Sequence, residues 1–510
     1  MQGNTYDAFA AKVRKISTLN SVSALLRWDQ ETCLPRLGAG DRADQLAVIA
    51  SAAHGELVGR EMEDLLGALR DHELSSESPF ETRVNIREIR RSFEREKKLP
   101  ADLVEEISRS QSRGFQSWAE AREVNDFGIF EPCLKRNVEL QRQVAELYGY
   151  REDIYDALLD LYEPGTTVRQ IDPLFSELKE RIVPILESIA GLQRPVSSAF
   201  QAPACVEGQA AFARQIACDM GFDFEAGRMD TSAHPFTTSL SPRDVRLTVH
   251  YHETDPFRSI FTILHEGGHG LYRQGTEWEH RGMPMGEIVS AGVDESQARY
   301  WENIVGRSRA FWAYALPRFR AAFPGVADGF DLDTVYAFVN EVKRTLVRIG
   351  ADEVTYNLHI LLRYEIEKDL LNDRYQVKDL PGVWNDRMHD YLGLAPSNAL
   401  EGVLQDAHWS DSFFGYFPTY ALGNLYAAQM DRAVRRDIPD LDDHISRGDF
   451  LLLREWQREK IHCHGMRYLP GELIERATGE PLSGSFFVEY VEAKFLAARG
   501  SNIASEQGFF

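Results

Sequence analysis

No run of eighteen apolar residues occurs anywhere in this 510-residue sequence, so no membrane-spanning helix is expected. The opening MQGNTYDAFAAKVRKIS lacks the apolar stretch of a signal peptide, and none is expected. Cysteine is scarce. Cys33, Cys133, Cys205, Cys218 and Cys463 are odd in number, scattered, and never spaced as C-x-x-C. That suits a reducing compartment, hence a cytoplasmic protein, better than a disulfide framework. No G-x-x-x-x-G-K-[ST] loop is present, which removes support for a nucleotide-driven reaction. Positive charge is also short: 57 Lys+Arg against 79 Asp+Glu give a net charge of -22. A field of that sign repels phosphate backbones, so no nucleic-acid partner is expected. The remaining composition, 43% hydrophobic and 27% charged, is that of a globular chain, and its length allows a substantial core.

Patterning predicts a mainly α protein. Over about residues 1–192 helix dominates. Asp172 as N-cap and Pro173 at N1 predict one helix start, with Leu174, Leu178, Ile182, Ile185, Leu186 and Ile189 at helical spacing after it. Pro184 should kink or split that helix. The Pro- and Ser-rich stretch 193–209 reads as a loop. From about 210 to 510 a second portion follows, and the whole is read as one catalytic domain. Within it, His234–Ser239 and Asp244–Tyr251 predict two short strands. Val245, Leu247 and Val249 alternate with polar residues, and LSPRD supplies the turn of an antiparallel hairpin.

The most informative segment is DPFRSIFTILHEGGHGLY. Asp255 caps, Pro256 opens a helix, and Ile260, Phe261, Leu264, Gly268 and Leu271 form its buried face. His265, Glu266 and His269 lie on its shoulder as H-E-x-x-H. Residues i and i+4 project from one face about 5–6 Å apart, close enough for two imidazoles to share a metal. Glu266 can reach a metal-bound water without ligating, the general-base position of zinc peptidases. Gly267 and Gly268 weaken the helix by roughly 1 kcal/mol each relative to Ala, and the return is close approach of another backbone or a ligand. Zinc needs a third protein ligand. GEIVSAGVDESQARYWEN offers Glu287, Asp294, Glu295 and Glu302, and spacing does not choose among them.

H-E-G-G-H followed at this interval by D-E-S-Q-A-R resembles the carboxypeptidase Taq family of zinc metallocarboxypeptidases. Four more of its motifs stand here in order: H-P-F at His234–Phe236; D-x-R-x-T at Asp244, Arg246 and Thr248; I-R-x-x-A-D as Val347, Arg348, Ala351 and Asp352; and G-x-x-Q-D-x-H-W at Gly402, Gln405, Asp406, His408 and Trp409. LLRWDQETCLP and YDALLDLYEPG are also similar, so the likeness spans nearly the whole chain. Asp294 departs from the His common at that place, which sets an extra acid beside the ligand.

The resemblance implies a helical body with a deep groove, a small antiparallel sheet beside the metal helix, and a homodimer. It makes Glu295 the third ligand, with His265 and His269, for zinc or a substituting cobalt. The implied reaction releases single residues from peptides with a free C-terminus, with broad specificity. Glu266 would deprotonate the metal-bound water and shuttle its proton to the leaving amine. Arg348 is the expected carboxylate receptor, since a guanidinium grips a carboxylate in a two-bond fork. The alternative for Arg348 is an ion pair with Asp352, within what reads as a helix. Arg246, Gln405 and His234 are further substrate-binding candidates, although Arg246 can simply pair with Asp244. His408 and Tyr420 are expected to stabilise the oxyanion, Tyr420 competing with a plain core role. The exposed edge of the hairpin can pair with a peptide backbone. An endo-acting oligopeptidase with the same metal chemistry is the rival reading. A scaffold with a vestigial metal site is the other. His462-Cys463-His464 reads as local packing.

Overall fold

The computed structural model describes residues 2–192 and 204–497. Helices carry the architecture, from Gln2–Thr32 at one end to Ser485–Glu492 at the other, around one small sheet. Strands β1 (Gly227–Thr231), β2 (Thr237–Ser241) and β3 (Asp244–Val249) lie in the order β1-β3-β2. β2 and β3 form the expected antiparallel hairpin. The sheet as a whole is mixed rather than antiparallel, because β1 pairs parallel with β3. His234 falls before β2, not within it. The predicted alternation holds: Val245, Leu247 and Val249 are buried. Thr248 is buried on the other face, where its hydroxyl takes part in bonds with Ser232 and Phe236.

The helix expected to start at Asp172 starts earlier and runs Val168–Leu192 through both Pro173 and Pro184. Asp172 does not cap it because its carboxylate is taken by the Tyr364 hydroxyl at 2.6 Å and the Lys368 ammonium at 2.5 Å. Burial of Leu178, Ile182, Ile185 and Leu186 in the main core outweighs the bonds that the two prolines remove. Most of the predicted loop 193–209 lies outside the described residues, and its last residues already belong to the helix Val206–Met220. Arg348 is not helical in the α sense. It opens a short 3-10 turn, Arg348–Gly350, in a loop organised by Asp352, whose carboxylate accepts from the backbone of Lys343, Val354 and Thr355.

Two cores coexist among the described residues. The smaller gathers Phe9, Val13, Met62, Leu66, Ile86 and Phe93 from the first helices, with Met283. Most buried apolar residues from Leu103 onward join the main core. Between the two bodies runs a groove of about 780 Å³, walled by the Gln2–Thr32 and Phe80–Lys97 helices on one side, and by β2 and the segment from Arg273 to Ile288 on the other.

Candidate active site and metal centre

The motif helix, Pro256–Gly275, has Pro256 at its first position as expected, although the Asp255 side chain makes no capping bond. Its glycines are where other elements press in. A Cβ on Gly268 would stand 2.6 Å from the carbonyl oxygen of Gln297 and 2.7 Å from Cα of Ala298. One on Gly270 would stand 2.8 Å from Leu247 of β3. Gly268 therefore admits the acid helix, Ala291–Arg299, and Gly270 admits the sheet. A third helix, Phe417–Asp437, closes from behind: a Cβ on Gly423 would lie 2.7 Å from Cγ of Glu295. These contacts bring Glu295 to the histidines.

His265, His269 and Glu295 each offer one ligand atom, all within 4.8 Å of one another. The two imidazoles stand 5.0 Å apart at 83°. Nε2 of His269 is 3.9 Å from Oε2 of Glu295, near the roughly 3.4 Å that separates two donors about 2.1 Å from one tetrahedral ion. The far oxygen of Glu295 is held by Nε of Arg299 at 2.6 Å, which turns Oε2 inward. Burial pushes the His265 imidazole down, but the carboxylates of Glu295 and Glu302 outweigh it and lift it to about 9. Such a shift marks a place short of positive charge, and a divalent ion fits it in both sign and donor set.

The four competing carboxylates now have separate places. Glu295 faces the histidines. Glu302 sits behind His265, with Oε2 at 2.9 Å from Nδ1, and fixes Nε2 toward the centre. Burial pushes the Glu302 carboxyl up, but Arg299, His265 and Arg307 outweigh it and bring it down to about 2. Oδ1 of Asp294 lies 3.0 Å from Nδ1 of His269. Its carboxylate is forked by Arg273 at 2.7 and 2.8 Å. Glu287 stands apart, in the wall of the groove.

Glu266 is 6% exposed and lies beside the cluster, its Oε2 accepting from the Thr237 hydroxyl of β2 at 2.7 Å. The guanidinium of Arg299, which holds Glu295, lies over the Tyr356 ring at 4.3 Å, and Tyr356 accepts from Nη1 of Arg348 at 2.9 Å. Arg348 does not pair with Asp352. Its Nε and Nη2 both reach Oδ1 of Asp406, at 3.0 and 2.7 Å, and Arg363 holds Oδ2 at 2.6 Å. The Tyr420 ring is 5.2 Å from the guanidinium carbon, and its hydroxyl is 3.3 Å from Nε2 of His408. Burial, the first cause, together with Arg348 and Arg363 outweighs Asp406 and takes His408 down to about 4, so this imidazole is neutral near pH 7.

Gln405 does not meet this space. Its Oε1 accepts from the Arg348 and Arg363 donors, and its Nε2 donates to the carbonyls of Leu346 and Glu401, so the amide builds the loop instead. Arg246 forks Asp244 at 2.9 and 3.0 Å, as its structural alternative required, and its guanidinium lies over Trp28. His234 is exposed, and only its carbonyl is engaged, by Ser232. His462 is buried on Tyr272 and bonded to Gln297, as packing predicts. Several residues were not singled out from sequence. Arg273 and Arg299 follow His269 and Glu295 by four positions, so helical periodicity carried a signal for each. Thr237 and Tyr356 reach the site only through tertiary contacts.

The family model described as carboxypeptidase Taq (M32) metallopeptidase matches residues 8–495. The chain is 41% identical over 500 residues to the thermostable carboxypeptidase 1 of Thermus thermophilus, covering 96% of this chain and 97% of that one. It is 36% identical over 497 residues to carboxypeptidase 1 of Bacillus subtilis, covering 97% and 99%. The crystal structure of the M32 carboxypeptidase from Deinococcus radiodurans R1 superposes with a TM-score of 0.94 at 36% identity, covering 98% of this chain and 100% of that one. With His265, His269 and Glu295 converging as described, and with similarity along almost its full length, this chain belongs to the carboxypeptidase Taq (M32) family of metallopeptidases.

Proposed function

We propose that this metallocarboxypeptidase is a zinc enzyme that removes single residues from peptide C-termini with broad preference, Glu266 serving as general base. The observation that carries the reading is the layout of the site. Glu266 adjoins the His265–His269–Glu295 cluster on the motif helix, and Arg348, fixed by Asp406, is linked to the cluster from another element through Tyr356 and the Arg299 that holds Glu295. A zinc or substituting cobalt ion on His265, His269 and Glu295 supplies Lewis-acid polarisation and an acidified water. Thr237 holds the Glu266 carboxylate in place, and Glu266 accepts the proton of the attacking water and returns it to the leaving amine. His408, neutral near pH 7, and Tyr420 offer hydrogen-bond donors to the developing oxyanion. Arg348 spends three of its five N–H groups on Asp406 and Tyr356, which leaves two for the substrate carboxylate. Gln405 positions Arg348 rather than substrate. We place the enzyme in the cytoplasm, as a homodimer.

The test is a pair of peptides identical except for a free or amidated C-terminus. Rapid release of the last residue from the acid alone supports the reading. Equal cleavage of both favours an endo-acting peptidase.

A further inference from the structure

The groove beside the centre holds an acid that the reaction does not use. Its wall includes Thr237, whose hydroxyl holds Glu266, and Arg273, which is forked to Asp294, so the groove opens at the catalytic base. β2 runs along it and offers backbone groups to an extended peptide. If the C-terminal carboxylate lies at Arg348, as proposed above, which is not part of this groove's wall, the residues upstream of the scissile bond can extend into the groove past Thr237. Its volume of about 780 Å³ is that of a site for a short peptide.

The charges on its walls are mostly spent. Arg273 is engaged by Asp294, Glu88 is paired with Arg87 and Arg91, and Arg281 lies over the Trp278 ring at 4.2 Å. Arg14 packs against Gly282, next to Arg281. Glu287 differs: its carboxylate is exposed along the groove and has no ion pair or hydrogen-bond partner among the described residues. Open to the groove as it is, it is hemmed by the groove walls, and the water they displace pushes its carboxyl up to about 7 against the pull of Arg273. Partly protonated near pH 7, such a carboxyl ionises fully when a ligand brings it a countercharge.

We propose that Glu287 forms a subsite for an ammonium group of the substrate, upstream of the scissile bond. This rests on the orientation set by Arg348. The ammonium can come from a lysine side chain or from the free α-amino group of a short peptide, and both place the same charge in the groove.

The test uses N-acetylated peptides with a free C-terminus, carrying lysine, norleucine or glutamate at the second, third or fourth residue before the cleaved bond. A second pair of short peptides differs only in a free or acetylated α-amino group. The reading is kcat/KM for the wild type and Glu287→Gln. The wild type should favour lysine over norleucine, or the free amine over its acetylated form, by about fivefold at one position, and the ratio should fall to near one in the variant. Because each ratio is taken within one protein, a general loss of folding does not imitate the result. Wild-type indifference, a preference that survives Glu287→Gln, or a preference for glutamate overturns the proposal. Amidated copies of these peptides separate its failure from that of the orientation. If they are cleaved as fast as the acids, both ideas fall, whereas intact discrimination against the amide with no lysine or amine preference overturns the subsite alone.

Discussion

Replacing Arg348 by Met removes the guanidinium while keeping an apolar stem of similar length. Arg363 still holds one oxygen of Asp406 at 2.6 Å, so the buried acid keeps a partner and the fold should survive with reduced stability. Lost with its bonds to Asp406 and Tyr356 is the pair of N–H groups that they leave for the substrate. Removing one member of a buried, hydrogen-bonded charge pair costs about 2–5 kcal/mol. Taking about 3–4 kcal/mol, kcat/KM for a peptide with a free C-terminus should drop about 100- to 1,000-fold. The amidated peptide never made that charge pair and should lose far less. The assay is therefore the acid-to-amide ratio of kcat/KM, with thermal melts confirming a folded variant. The ratio should collapse toward one in Arg348→Met. Arg348→Lys, which restores charge without the fork, should recover only part of it. A folded Arg348→Met that still prefers the acid by the wild-type factor would refute the assignment of this arginine.

Two further outcomes follow from the same geometry. Glu266→Gln should retain the metal and Thr237's contact yet lose about 10²- to 10⁴-fold in kcat, measured beside metal content; unchanged turnover would remove Glu266 as base. Asp406 is pushed up by burial, but Arg363 and Arg348 outweigh it and hold it well below the usual carboxylate range. Its contribution to stability is thus fully present above about pH 4, the unfolded value, and is lost as pH falls toward the folded one. Asp406→Asn should cost about 3–5 kcal/mol at pH 7, and the melting gap from wild type should narrow below about pH 4. A gap of equal size at pH 3 and pH 7 would contradict this.

Much of the centre was legible because it rests on one helix. His265, Glu266 and His269 are fixed relative to one another by a 3.6-residue turn, and Gly268 announced the close approach that the acid helix makes. Spacing did not choose Glu295 over its neighbours, since all four acids share one stretch; the resemblance did, and the fold then gives the four separate places, Glu295 facing the histidines, Glu302 and Asp294 behind them and Glu287 in the groove wall. Arg348 was recognisable as a residue needing an anion, but its partner, Asp406, is 58 positions away rather than four. The two prolines of the Val168–Leu192 helix misled for a related reason: local backbone preference predicted breaks that burial overrode. The mixed sheet was missed because β1, GRMDT, has no apolar alternation to reveal it.

The measurement that bears most directly on the account is divalent metal per chain, determined by elemental analysis after exhaustive dialysis. The intact protein should hold close to one ion, and His269→Ala and Glu295→Gln should each lose most of it while remaining folded. Unchanged metal content in both variants would show that the ion sits elsewhere, and the proposed hydrolytic centre would fail with it.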